Sequence, residues 1–160
     1  MTIQVGDKAP EGRFHVINAD GPGSVSTDEL FGGKKVVVFS VPGAFTPTCS
    51  KEHLPGFINN ADAISAKGVD TIACMAVNDM FVMDAWGASA GAGDKVLMLA
   101  DGNGTYTAAL GLELDGSGFG LGTRGQRFAM VVEDGTLTQL HVEAPMEFKV
   151  SSAENILANL

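Results

Sequence analysis

The stretch that decides the fold reads Lys35-Val36-Val37-Val38-Phe39-Ser40, followed by Val41-Pro42-Gly43-Ala44-Phe45-Thr46-Pro47-Thr48-Cys49-Ser50 and then Lys51-Glu52-His53-Leu54. The first six residues are a β-branched and aromatic run, the pattern of a buried strand. Two prolines and a glycine then forbid the strand to continue. From Glu52 to Ala66 the pattern is helical, with Leu54, Phe57, Ile58, Ala61 and Ile64 spaced as one apolar face and Pro55-Gly56 expected to bend it. Strand, kinked loop, cysteine and helix follow in that order. Cys49 therefore falls in the first turn of a helix at the carboxyl end of a strand, where open α/β folds carry their chemistry. Unpaired N–H groups and the positive end of the helix dipole favour a negative sulfur there, and thiolate is the nucleophilic form. Thr46, three residues upstream, can turn its hydroxyl toward that sulfur. Pro47 has no N–H to compete for the same acceptor.

Working outward, Gly12 to Val25 is hairpin-like around Asn18-Ala19-Asp20-Gly21, and Ser26 to Gly33 suggests a short helical turn. Val69–Val77 and Lys95–Ala100 read as further strands. Met80–Ala90 and Thr105–Leu112 read as helices, and Asp115–Gly122, with four glycines, as a loop. Arg127–Val132 and Leu137–Val142 flank a turn at Glu133-Asp134-Gly135-Thr136, and Ser151–Leu160 is a closing helix. Strands alternating with helices, ending in an antiparallel hairpin, give an α/β fold: a mixed central sheet with helices on both faces. The large apolar residues Phe45, Phe81 and Trp86 are expected in the core.

With 160 residues the chain is expected to form one domain over residues 1–160. Its net charge of −9 argues against nucleic acid or an anionic membrane as partner, since either wants a basic face. The apolar runs are too short to span a bilayer, and the start lacks the pattern of a secretory signal, so the expected location is cytoplasmic. The two cysteines, Cys49 and Cys74, form no disulfide scaffold. His15, His53 and His141 are scattered, and no Cys/His cluster has metal-ligand spacing, so neither a metal nor another cofactor is expected.

The spacing Pro42-x-x-x-Thr46-x-x-Cys49 resembles the site pattern of peroxiredoxins, the thiol peroxidases. The longer string from Val41 to Phe57 is similar to the subfamily of plant type II and mammalian atypical two-cysteine enzymes. The resemblance implies a thioredoxin-like fold and an antioxidant reaction that reduces hydrogen peroxide and alkyl hydroperoxides through a sulfenic acid on Cys49. It implies catalytic roles for Cys49, Thr46, Arg127 and Pro42. Arg127 opens an apolar strand, so it is expected to be partly buried and in need of an anionic partner, which a thiolate supplies. Arg124 matches a second, supporting arginine. His53, four residues after Cys49, lies on the same helix face and either polarises the site or makes a contact with no catalytic role.

Cys74 reads most simply as an inert core thiol in mid-strand. Its other reading is a resolving cysteine, which would need local unfolding to reach Cys49. The mammalian relatives use a cysteine near the C-terminus, and Phe148-Lys149-Val150-Ser151-Ser152 has none. The expected reductant is therefore an external thiol such as glutathione, glutaredoxin or thioredoxin. Family resemblance also implies a homodimer touching near Phe45 and Phe81. Three alternatives compete. A thiol–disulfide oxidoreductase needs a cysteine where Thr46 stands. A cysteine hydrolase pairing Cys49 with His53 or His141 lacks an orienting third residue. A peroxide sensor or interaction module on the same fold shares the first chemical step and differs only in turnover.

Overall fold

The computed structural model describes residues 1–160. Its centre is a seven-stranded mixed sheet. In chain order the strands are β1 (Arg13–Asn18), β2 (Gly21–Ser26), β3 (Lys35–Ser40), β4 (Thr71–Ala76), β5 (Leu97–Ala100), β6 (Glu113–Asp115), β7 (Thr123–Gly125), β8 (Phe128–Glu133) and β9 (Thr136–Val142). The helices are α1 (Thr27–Phe31), α2 (Leu54–Asn59), α3 (Ala61–Ser65), α4 (Met80–Ala90), α5 (Thr105–Leu110) and α6 (Ala153–Asn159). The sheet order is β2-β1-β5-β4-β3-β8-β9, with β4 parallel to β3 and β5 and β8 antiparallel to β3. β3 and β4 are both buried almost throughout, as strands covered on both faces must be.

Side-chain alternation sorts the sheet's residues onto two cores. Val37, Phe39, Ile72, Cys74, Ala129 and Val131 point to one face, with α2, α3, α4 and α6 packed on it through Phe57, Ile64, Trp86 and Ile156. Val36, Val38, Ala73, Met75, Met130 and Val132 point to the other, under α1 and α5 through Phe31 and Leu110. Cys49 belongs to the first core. The period of two along β8 sends Arg127 to that same face, since Ala129 and Val131 are there.

The segment after β3 departs from a regular helix. Ser50 N–H donates to the Thr46 carbonyl at 2.9 Å, which starts the helical run. Over Cys49–His53 the turn widens, and Leu54 N–H bonds the Cys49 carbonyl five residues back. Pro55 explains the widening. In an α-register its ring would clash with the Lys51 carbonyl, and it has no N–H to give. The expected bend at Pro55-Gly56 thus appears as a wide turn before Pro55 and a break further on, at Asn60 between α2 and α3. At the break, Asn60 N–H and Nδ2–H both donate to the Gly56 carbonyl, at 3.1 and 2.8 Å. One continuous helix from Glu52 to Ala66 is replaced by a wide turn, α2 and α3.

Three further expectations need correction. The strand expected over Lys95–Ala100, β5, is shorter and begins at Leu97. The glycine-rich loop at Asp115–Gly122 is bracketed by β6 and β7, a small antiparallel pair that the glycines hide from sequence reading. Trp86 is in the core, 1% exposed, but Phe45 and Phe81 are 54% and 62% exposed. Phe45 sits in the turn after Pro42 with φ of 65°, which turns its side chain out of the interior.

Candidate active site

The sulfur of Cys49 is buried, and two donors converge on it. Thr46 Oγ1 lies 2.9 Å from Sγ, and Arg127 Nη2 donates to it at 3.0 Å. Thr46 Oγ1 also reaches the Gly43 carbonyl at 2.7 Å. A hydroxyl has one proton to give. When Cys49 is a thiol, Thr46 donates to Gly43 and accepts from S–H. When Cys49 is ionised, the same hydroxyl turns and donates to the sulfur. The amides of Thr48 and Cys49 precede the first helical bond and lie in the turn whose N–H groups have no helical partner.

Arg127 is half-buried and has no carboxylate partner; the structure's one ion pair joins Lys149 and Glu147 on the surface. Its guanidinium is shared instead between Cys49 Sγ and His53 Nδ1, the latter at 2.8 Å. His53 is fully buried, and its Nε2 lies 2.9 Å from the Ser151 carbonyl. Arg127 can only donate and the carbonyl can only accept. These partners fix a neutral ring with its proton on Nε2. Burial, helped by the charge of Arg127, pushes His53 down to about 3, against the opposing effects of the Ser151 carbonyl and Glu143. Phe39 and Phe148 flank the imidazole at 4.8 and 5.0 Å, and Phe39 stacks on Phe57 at 4.1 Å. His53 cannot serve as a general base toward bulk solvent from this position. It orients Arg127.

The remaining expected residues fall into two groups. Pro42 is half-buried in the loop just past β3, and its carbonyl accepts from Arg124 Nη1 at 3.4 Å. Arg124, on β7, also donates from Nε to the Leu121 carbonyl at 2.9 Å, so it braces the loop and does not touch the sulfur. Cys74 lies at the middle of β4, opposite Phe39 and Met98, and both thiols are free. Burial, reinforced by Cys49, pushes the Cys74 thiol well above its ordinary value. Sequence reasoning missed four contributors: Ser151, whose carbonyl sets the His53 tautomer; Phe148; Asn78, whose Oδ1 accepts from Ala44 N–H at 2.9 Å; and Ser50, whose Oγ accepts from Trp86 Nε1–H at 3.1 Å. Asn78 and Ser50 follow turn and helix-start positions and left a weak local signal. Ser151 and Phe148 left none, because only the tertiary path of their loop brings them to His53.

The Redoxin family model matches residues 4–157. Peroxiredoxin-2B of Arabidopsis thaliana is 49% identical over 159 residues, covering 99% of this chain and 98% of that protein. The chain is a peroxiredoxin. The crystal structure of reduced Prx3 from Vibrio vulnificus in complex with H2O2 superposes with a TM-score of 0.95 at 52% identity, over 99% of each chain. A Burkholderia cenocepacia protein named as a candidate thioredoxin reductase superposes with a TM-score of 0.98 at 45% identity, over 100% of this chain and 99% of that one. The redox motif Cys-x-x-Cys is absent from this peroxiredoxin, where Thr46 stands three residues before Cys49. As a peroxiredoxin the protein is a thiol peroxidase with an antioxidant function, built on a thioredoxin-like fold.

The His53 assignment has a measurable consequence. Its ring nitrogen resonances should stay those of the neutral Nε2–H form as pH is lowered from about 7 to about 5, where an ordinary histidine titrates near 6.5. The unfolded chain binds a proton at His53 below about pH 6.5 and the folded chain does not until about 3. Unfolding free energy should therefore fall as pH drops through that window, by at most about 1.4 kcal/mol per pH unit from this group. His53→Gln should remove that share of the slope. A His53 that titrates near 6.5 contradicts the arrangement.

Proposed function

We propose that Cys49 is the peroxide-reducing thiolate and that Thr46 and Arg127 are its catalytic donors. The observation that carries this reading is the Arg127 guanidinium, which has no carboxylate partner and donates to Sγ at 3.0 Å. The thiolate attacks one oxygen of the peroxide. The S–O bond forms as the O–O bond breaks, sulfur gives up two electrons, and the departing oxide takes a proton to leave as water or alcohol. Negative charge moves from sulfur onto the two oxygens, and the donors already placed around the sulfur follow it. Thr46, whose proton can turn, is suited to the oxygen that bonds sulfur. Arg127 keeps a positive charge along the O–O axis. Pro42 shapes the loop wall and, with Arg124 on its carbonyl, keeps that wall in place.

The sulfenic acid is resolved by an external thiol, glutathione with or without glutaredoxin. Thiol attack on the sulfenic sulfur expels water and leaves a mixed disulfide, and a second thiol releases Cys49. Cys74 supports this route by its position: it is held by strand pairing on both sides and has an un-ionised sulfur. The sensor reading shares the sulfenic acid and lacks only turnover. Thioredoxin remains the competing reductant. The proposed location is cytoplasmic. A homodimer is proposed through the exposed Phe45 and Phe81, large apolar side chains that water does not favour.

Steady-state peroxide consumption with glutathione and glutaredoxin tests recycling. Wild type should turn over, Cys49→Ser should not, and Cys74→Ala should stay within about twofold of wild type, because an inert core thiol touches no reacting atom. Oxidation that stops after one equivalent with a persistent Cys49–Cys74 disulfide would refute the external-thiol route. Sedimentation should show a dimer that Phe81→Asp converts to monomer; a monomeric wild type would refute the pairing.

A further inference from the structure

One buried ionisable group has no role in the reaction described above. Glu143 follows β9 and is 8% exposed, with no cation beside it. Its Oε2 accepts three hydrogen bonds, from Lys149 N–H at 2.8 Å, Ser151 N–H at 2.8 Å and Ser151 Oγ–H at 2.6 Å. Burial opposes its charge, but these bonds prevail and hold its carboxyl below the usual range. Hydrogen bonds to an ionised acceptor are roughly twice as strong as neutral ones. Glu143 also donates its backbone N–H to the Arg127 carbonyl at 3.0 Å. Residues 144–150 form a strap outside any helix or strand, carrying Phe148, and the carboxylate closes it at Lys149 and Ser151.

The next group along that strap is the Ser151 carbonyl, which accepts from His53 Nε2–H at 2.9 Å. Glu143 therefore holds Arg127 twice. Its amide holds the main chain, and its carboxylate acts through Ser151 and His53 on the guanidinium. We propose that Glu143 is a positioning residue for peroxide reduction, fixing the Ser151 turn so that His53 keeps the tautomer whose Nδ1 accepts from Arg127. This inference rests on the peroxidase reading of Cys49. If the carboxylate is lost, two amides and a hydroxyl are left unpaired around a buried site, and the turn must move to find other partners. His53 is then free to carry its proton on Nδ1. That N–H would face the Arg127 N–H, donor against donor, and Arg127 would swing away from the sulfur.

The test uses the full chain with Glu143→Ala and Glu143→Gln. Two quantities are read: the second-order rate of Cys49 oxidation by hydrogen peroxide, and the His53 ring nitrogen resonances. Glu143→Ala should slow oxidation at least about tenfold, within the range that a misplaced orienting group costs. Its His53 signals should move from a single Nε2–H form to a mixture. Glu143→Gln keeps a carbonyl oxygen for the same donors, so it should stay within about threefold of wild type with the tautomer retained. If Glu143→Ala does not fold, Glu143→Asp takes its place, and slowing and tautomer shift must occur together. Slowing with an unchanged tautomer, a shifted tautomer with no slowing, or neither change overturns the proposal. Slow oxidation of the wild type is a separate result: it refutes the peroxidase reading, while the tautomer in the variants still decides whether Glu143 governs His53.

Discussion

The structure depends on how one guanidinium is shared. Arg127 has no carboxylate to satisfy it, so its charge is divided between a cysteine sulfur and a neutral imidazole. Even a half-buried arginine needs such partners, because a charge removed from water without one is costly. The arrangement works in both directions. The sulfur gains a fixed positive neighbour, and the arginine is held by a ring that cannot itself become charged in the same place.

The sheet makes that sharing possible. β3 delivers Cys49 to its carboxyl end and β8, paired antiparallel to β3, delivers Arg127 to the same end and the same face. The wide turn before Pro55 keeps Cys49 and His53 on one side of the helical run, so that both meet Arg127. The aromatic group of Phe39, Phe57 and Phe148 encloses His53 and keeps water from it. Fold stability and site geometry are therefore coupled: Phe39 is at once a core residue of β3 and one wall of the imidazole's cage.

What the sequence made legible was local. Thr46 and Cys49 are three residues apart on one loop, and their meeting follows from chain geometry alone. β3, α4 and the closing hairpin show plain apolar patterns, and their positions followed from them. Arg127 is legible because it stands at the start of an apolar strand and so needs an anionic partner. The sequence leaves the role of His53 open, since spacing gives its helix face but not the Ser151 carbonyl that sets its proton. Glu143 and Ser151 act through a loop whose path no periodicity encodes. Phe45 and Phe81 show the opposite failure: a large apolar side chain suggests core, yet backbone direction at a kinked loop and at a helix start turns both outward. β6 and β7 are short, exposed and separated by glycines, so neither alternation nor burial marked them.

The most direct measurement is stopped-flow oxidation of the reduced protein by hydrogen peroxide, read through Trp86, whose indole N–H bonds Ser50 beside Cys49. Wild type is compared with Arg127→Ala. Oxidation well above that of a free thiol, falling by about a hundredfold or more in Arg127→Ala, is the expected result, on the scale of losing one preorganised donor. An Arg127→Ala protein that folds normally and oxidises as fast as wild type would contradict the central claim that the shared guanidinium drives the chemistry at Cys49.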